Sequence, residues 1–220
     1  MEKLLNVEST RKNIITILDQ IHQVSGLRVY SDNSLMKYDL LPDDKKIFVY
    51  YHAYLILQFL KQKDEAGVTE ADFLRGHLNH LSLSIPENFY QVIQEGDVVE
   101  VYDNELRPLF QNDQFFRLSS YDLLTSLTSE LAELFIRDDK TFLQVVEHIQ
   151  TVQSVEPWKV DVHRLTERLH NHRRIFEIHP GFIAPVMEAN GQRYGWVSTI
   201  RARLIGSEFD GTNIRPFNKS

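Results

Sequence analysis

The sequence predicts an α+β protein, a mostly helical N-terminal region followed by an antiparallel sheet, and three observations carry that prediction. Apolar residues recur at three- and four-residue steps through the first 95 positions; after Gly96 the rhythm changes to short runs rich in Val, Phe and Ile; and Asn190-Gly191 marks a tight turn between two such runs.

Taken in order, Ile14, Ile15, Leu18, Ile21 and Val24 fall on one face of a helix that Gly26 terminates. Pro42 and Asp43-Asp44 open a second helix through Phe48, Tyr51, Leu55 and Leu60 to Gly67, apolar nearly all round and therefore central. Thr69 precedes a third with Phe73, Leu74 and Leu78, and Pro86 opens a fourth that ends at Gly96. Val99, Val101 and Leu109-Phe110 then form two strands around the turn at Asp103-Asn104. Short helices follow, capped by Asn112 or Asp113, then Ser119 or Ser120, and Asp139 caps a longer one from Lys140 to about Val152. Beyond Pro157, Val160 and Val162 start a strand that continues after a polar bend at 169–172 with Ile175, Phe176 and Ile178. Asn190-Gly191 suits a type I′ turn, since both residues tolerate positive φ. The expected organisation is a helical region over 1–95, a sheet domain over 96–206 and a tail over 207–220.

Composition narrows the function classes. With 220 residues, 42% of them hydrophobic, the chain can bury one or two cores at ~100–150 residues per domain. A net charge of -7 makes nucleic acid an unlikely default partner. The absence of cysteine excludes disulfides, thiolate metal sites and cysteine nucleophiles within these residues. The N-terminal residues, with Glu2 and Glu8, lack a secretory pattern, and the apolar run 47–60 is shorter than the ~20 residues a bilayer span needs. These features point to a cytoplasmic protein with no membrane association.

Residues 97–205 resemble a PAS domain, a small sensor fold. The resemblance rests on 98–102 as first strand, Leu109-Phe110-Gln111-Asn112 as second strand and capping asparagine, Phe116 to Tyr121 as the helical stretch, and Phe135-Ile136-Arg137-Asp138-Asp139 before the long helix. Residues 158–168, 173–188 and 193–204 stand as the last three strands, with Ala184-Pro185-Val186 in the middle one. The sequence departs from the family at Ser120, where glycine is common, at Arg137-Asp138, and in the last strand, which lacks the usual acidic residue. The resemblance implies a five-stranded antiparallel sheet with helices on one face. It also implies a pocket between them drawing on Phe115, Leu118, Tyr121, Phe135, Val145, Phe176, Phe182 and Trp196, and suited to haem, flavin or a small metabolite. His148 stands where some members place an iron ligand. The competing reading is that these aromatics simply fill the core. No cofactor is specified.

Other candidates are weaker. His163, His170, His172 and His179 surround one hairpin without a carboxylate at ligand spacing, and His77 and His80 share a helix face without the glutamate of a metalloprotease motif. There is no phosphate loop, nucleophile elbow or kinase signature. Asp43-Asp44 and Asp138-Asp139 suit helix starts. A helix-turn-helix from Thr69 and Pro86 would carry Glu87, Asn88, Gln91, Gln94 and Glu95 but no base on its recognition helix. The arginines 164, 168, 173, 174, 193, 201 and 203 would spread over two sheet faces.

The expectation is therefore a non-enzymatic sensory protein that relays binding of a small molecule or protein partner. It would dimerise through the stripe of Ile14, Leu18 and Ile21, with output from the N-terminal region or a separate partner. The alternatives are a DNA-binding regulator using the N-terminal helices and an enzyme using the histidine cluster.

Overall fold

The computed structural model describes residues 11–169 and 172–209. The first helix, α1 (Arg11–Ser25), buries Ile14, Ile17, Leu18 and Ile21, and Gly26 closes it at φ +68, its N–H reaching the His22 carbonyl at 2.8 Å. That apolar stripe packs on the long helix α3 (Asp43–Ala66) of the same chain, with Ile14, Leu18 and Ile21 wholly buried. The expected dimer stripe is thus spent within the monomer, because α3 offers it a larger apolar face than a second α1 would.

Between these helices lies α2 (Asp32–Asp39), which the sequence reading passed over because it shows little apolar periodicity. It starts on a capping box in which the side chains of Ser31 and Ser34 satisfy each other's backbone. Next, α4 (Glu70–His80) begins on a Thr69–Asp72 capping box. The expected fourth helix does not form. Leu81 and Ser82, at φ +58, turn the chain into β1 (Leu83–Ser84), and only a single 3₁₀ turn, Glu87–Phe89, follows Pro86. Its successive bonds run from i+3 to i, Phe89 is wholly buried, and a bidentate Arg75–Glu87 pair holds the turn to α4. With no second helix, the helix-turn-helix geometry is absent among the described residues.

After Gly96, β2 (Val98–Asp103) and β3 (Pro108–Gln111) form a hairpin. Three short helices follow, α5 (Asp113–Leu118), α6 (Leu123–Thr128) and α7 (Leu131–Leu134), then β4 (Phe135–Ile136) and α8 (Asp139–Thr151). Asn112 caps α5 as expected, whereas Asp122 rather than Ser119 or Ser120 caps α6, and Asp138 rather than Asp139 caps α8. In both corrected cases the capping carboxylate stands three residues before the N–H it accepts, from Thr125 and Thr141.

The chain ends in β5 (Glu156–Pro157), β6 (His163–Glu167), β7 (His172–Glu188) and β8 (Arg193–Phe209). Val160 and Val162 precede β6 instead of lying in it. The bend at 170–171 lies outside the described residues, and of the tail expected over 207–220 the first three residues belong to β8, the rest lying outside the described residues. At the β7–β8 turn, the Gly191 N–H donates to the Glu188 carbonyl and the Glu188 N–H to Gln192, with positive φ at Gly191 alone. This is a three-residue loop with a glycine bulge, not the type I′ turn expected.

All strand pairs are antiparallel, in the order β3-β2-β8-β7-β6-β4, with β1 and β5 added to β7. Val99, Val101, Phe110, Val197, Ala184 and Val186 share one face by register. That back face receives α3 and α4, whose His52, Phe73 and His77 rings meet Phe110. The front face, with Glu100, Tyr102, Trp196 and Ile178, receives α5, α7 and α8. The main apolar core runs from Ile14 through Val197, a second cluster of Tyr102, Ile149, Val152, Ile183 and Trp196 lies on the front face, and helices cover both faces rather than one.

Two predictions follow from this packing. A Cβ at Gly195 would lie 2.8 Å from the Asp103 Cα and closer still to the Tyr102 carbonyl oxygen, so Gly195→Ala should cost about 3 kcal/mol or more in urea unfolding. Behind the sheet, the His52 and His77 rings lie 4.8 Å apart and wholly buried. Burial pushes His77 down to about 4 and His52 well below its ordinary range; each is further lowered by a neighbouring imidazole, His80 for the first and His77 for the second. Because the unfolded chain takes up these protons near pH 6.5 and the folded one does not, their contribution is full above that pH and falls as the pH drops toward 4, by up to about 1.4 kcal/mol per unit for each ring. Thermal melts should show that loss. His52→Leu should remove its share of that loss, leaving the part due to His77, and leave Tm at pH 7 unchanged or higher, since neither His52 nitrogen has a partner among the described residues.

Candidate functional site

The strand β2 reads Val-Val-Glu-Val-Tyr-Asp and is buried along its whole length, so Glu100 stands as a carboxylate between two valines in the middle of the strand. Alternation places it on the front face beside Tyr102, whose hydroxyl donates to Glu100 Oε1 at 2.8 Å. Tyr102 in turn stacks on Trp196 with centroids 4.6 Å apart, Trp158 meets Trp196 edge-on at 5.9 Å, and His148 meets Trp158 edge-on at 5.3 Å. This row of rings joins the middle of the sheet to α8.

Two small cavities flank the row, of about 40 and 50 Å³, and both are lined by Glu100, Leu131, Arg137, Ile178 and Ile200. Burial pushes the Glu100 carboxyl up, while the Tyr102 hydroxyl and the positive charge of Arg137 pull it back. Burial likewise pulls the Arg137 guanidinium down, against the carboxylate of Glu100. Four buried nitrogens on the larger cavity, Arg137 Nε, Trp158 Nε1, His163 Nε2 and Trp196 Nε1, have no hydrogen-bond partner among the described residues. Leaving a buried polar atom unpaired costs about 1–3 kcal/mol, so four in one cavity form an unusual concentration.

The residues expected from sequence distribute unevenly. Phe115, Leu118, Phe135 and Phe176 line the smaller cavity, and Val145 and Trp196 the larger. Tyr121 is a brace: its hydroxyl donates to the Leu134 carbonyl and accepts the Arg168 and Leu169 N–H groups. Phe182 packs on the core but lines neither cavity. His148 is also a brace, since its Nδ1 accepts the Lys159 N–H at 3.0 Å and its Nε2 therefore donates to Glu156 at 2.9 Å. With both nitrogens engaged it has none to offer an iron. Ligand sites for large cofactors run to about 300–1,000 Å³, so these cavities as they stand fit neither haem nor flavin.

Glu100, Arg137 and Trp158 are not among the expected site residues, and His163 is expected only as a member of the histidine cluster. A single acid within a β-branched run is the signal that points to Glu100, and Arg137 stood out only as a departure from the family. Of the other histidines, His179 pairs with Glu177 at 2.8 Å, and His170 lies outside the described residues. No group of three metal-ligating side chains occurs among the described residues. The arginines are largely spent locally, Arg174 on the Leu118 carbonyl, Arg193 on carbonyls at the end of α8, Arg201 on Asp97 and Arg203 on Glu177.

A larger groove of about 800 Å³ opens between the N-terminal helices and the sheet, with Leu41, Phe48, Leu83, Pro108 and Leu127 among its apolar lining. Two ion pairs stand in its lining: Lys37 binds Glu133, and also Ser129, each at 2.8 Å, and Arg107 binds Asp103 at 2.6 Å.

No family model and no curated protein matches the chain. Among solved structures it is similar to the light-state blue-light photoreceptor Aureochrome1 LOV, at 15% identity and TM-score 0.34, covering 51% of this chain and 88% of the other. It is also similar to a sensory box sensor histidine kinase from Vibrio cholerae, at 12% identity and TM-score 0.30, covering 62% of this chain and all of the other. At TM-scores of this size neither likeness fixes the function. No helix among the described residues is long and apolar enough to cross a membrane.

If His148 is a brace, His148→Ala should destabilise the fold by about 2–3 kcal/mol through its two lost hydrogen bonds and the emptied ring site. Urea unfolding with an unchanged m-value is the measurement that checks it.

Proposed function

We propose that this chain is a non-enzymatic, PAS-like sensory module in which occupancy of the front cavity biases the packing of the N-terminal helices, with output passed to a second copy or a separate protein partner. One observation carries this reading: the same strands hold both ends of the relay. On β2 and β8, Glu100, Trp196 and Ser198 line the cavities, while the alternate residues Val99, Val101 and Val197 form the back face under α3 and α4. A shift of either strand toward a front-face occupant moves the back-face side chains by the same amount, because backbone and pleat are shared. The N-terminal layer is also bonded to the sheet and to α6, through His77 to the Leu109 carbonyl at 2.8 Å and through the Leu123 and Leu124 N–H groups to the Arg28 and Val29 carbonyls. Such bonded layers have few arrangements available, which favours a population shift between discrete packings.

The order of elements supports the same reading. Five strands of four or more residues, with helices between the second and third of them, is the order the sequence resemblance implied.

Val145 lines the larger cavity from α8, so Val145→Phe fills it from the front. The substitution should change amide hydrogen exchange in residues 43–80 on the far side of the sheet by about threefold or more. A change confined to α8 and the sheet would sink the relay. Denaturing extraction and mass spectrometry of the purified protein would identify any resident small molecule.

A further inference from the structure

The unpaired nitrogens of the larger cavity specify what it binds, an inference that rests on the sensory reading of the same cavity. Arg137 Nε, Trp158 Nε1 and Trp196 Nε1 can only donate, and they come from the loop before α8, the segment between β5 and β6, and β8. Trp196 is only 4% exposed, so its indole N–H cannot turn to bulk water. The fourth nitrogen is of the other kind. His163 Nδ1 lies 2.9 Å from the Asp161 carbonyl, which can only accept, so Nδ1 carries the proton and Nε2 of the neutral ring is an acceptor. The same lining holds the apolar side chains of Leu131, Val145, Val146 and Val160. The cavity wall therefore combines hydrogen-bond donors and one permanent positive charge with an apolar part. Its volume of about 50 Å³ corresponds to a few water-sized groups.

We propose that this cavity binds a short-chain monocarboxylate of acetate size, its oxygens accepting from Arg137 Nε and the two indole N–H groups and its alkyl end against Val145 and Val160. Waters alone would satisfy the donors but leave Arg137 without an anion other than Glu100 and would wet the apolar part of the wall. Glu100 is the internal competitor. Its carboxylate already acts on Arg137, so a bound carboxylate displaces that interaction and favours the protonated form of Glu100. Two substitutions then have opposite signs: removing the positive charge weakens binding, and neutralising Glu100 strengthens it.

The chain has two tryptophans, Trp158 and Trp196, and both line the cavity, so intrinsic fluorescence reports on it directly. Sodium acetate titrated into the full-length protein against sodium chloride at equal ionic strength should give a saturable change. Half-saturation should rise at least tenfold in Arg137→Gln, fall severalfold in Glu100→Gln, and fall as the pH is lowered from 7.5 to 6. Thermal melts of both variants show whether they are folded, and the Glu100→Gln gain and the pH trend are measurable even if Arg137→Gln is not. The proposal is overturned by no saturable change in the parent protein, by a folded Arg137→Gln with unaltered affinity, or by weaker binding in Glu100→Gln. If acetate fails while Val145→Phe still alters exchange in residues 43–80, the carboxylate is wrong and the relay stands. If acetate binds and that exchange does not respond, the carboxylate stands and the relay is wrong.

Discussion

Burial of β2 on both faces is the constraint from which the rest of the structure follows. None of its six residues reaches solvent appreciably, so each polar group on or beside it must find a partner inside the protein. Asn112, wholly buried, meets most of that demand at one end: its Oδ1 accepts the Val99 and Phe115 N–H groups and its Nδ2 donates to the Asp97 carbonyl. One side chain thereby ends β3, starts α5 and holds the entrance of β2. At the other end Asp103 takes the Glu105 and Arg107 N–H groups at 2.9 Å and the Arg107 side chain, closing the hairpin. Glu100, between them, accepts the Tyr102 hydroxyl and lines both front cavities, and the candidate site is built around it.

A similar device organises the region where β6 and β7 meet the helices. Glu167 is wholly buried and accepts the Ser120 N–H at 2.6 Å, the Ser120 hydroxyl at 2.5 Å and the Arg174 N–H at 3.2 Å. Ser120 thus supplies a hydroxyl donor that a glycine at this position would lack. The two carboxylates differ in what surrounds them. Glu167 is saturated with donors and is structural, whereas Glu100 faces cavities and a guanidinium with an unpaired nitrogen.

Much of the architecture was legible because it depends on local rules. The helix of Ile14 to Ile21, the apolar helix ending at Gly67, the Thr69 cap, the Asn112 cap and the Asn190-Gly191 hairpin all announce themselves within a few residues. The losses were tertiary. Pro86 and its apolar neighbours look like a helix start, yet the buried Phe89 and the Arg75–Glu87 pair hold the segment in tight turns. The stripe on α1 reads equally well as a dimer surface until α3 covers it. The aromatic lining of the front face was readable from the resemblance, but the polar half was not. Arg137, Trp158 and His163 gain meaning only when the fold brings their two segments onto one cavity with Trp196 of β8.

The place of β2 in the sheet also sets the order in which the protein can be made. Its neighbour β8 supplies residues 195–200 opposite 103–98, a separation of roughly a hundred residues. A ribosome delivers the N-terminal helices and the β2–β3 hairpin long before that partner exists. Until then Val99, Tyr102 and the rings of α3 and α4 have no finished sheet to pack on. Contacts so distant in the chain slow folding, because the intervening loop must be closed before they form. Completion should therefore wait until β8 has been made, and the nascent chain before residue 195 is the form most in need of a chaperone.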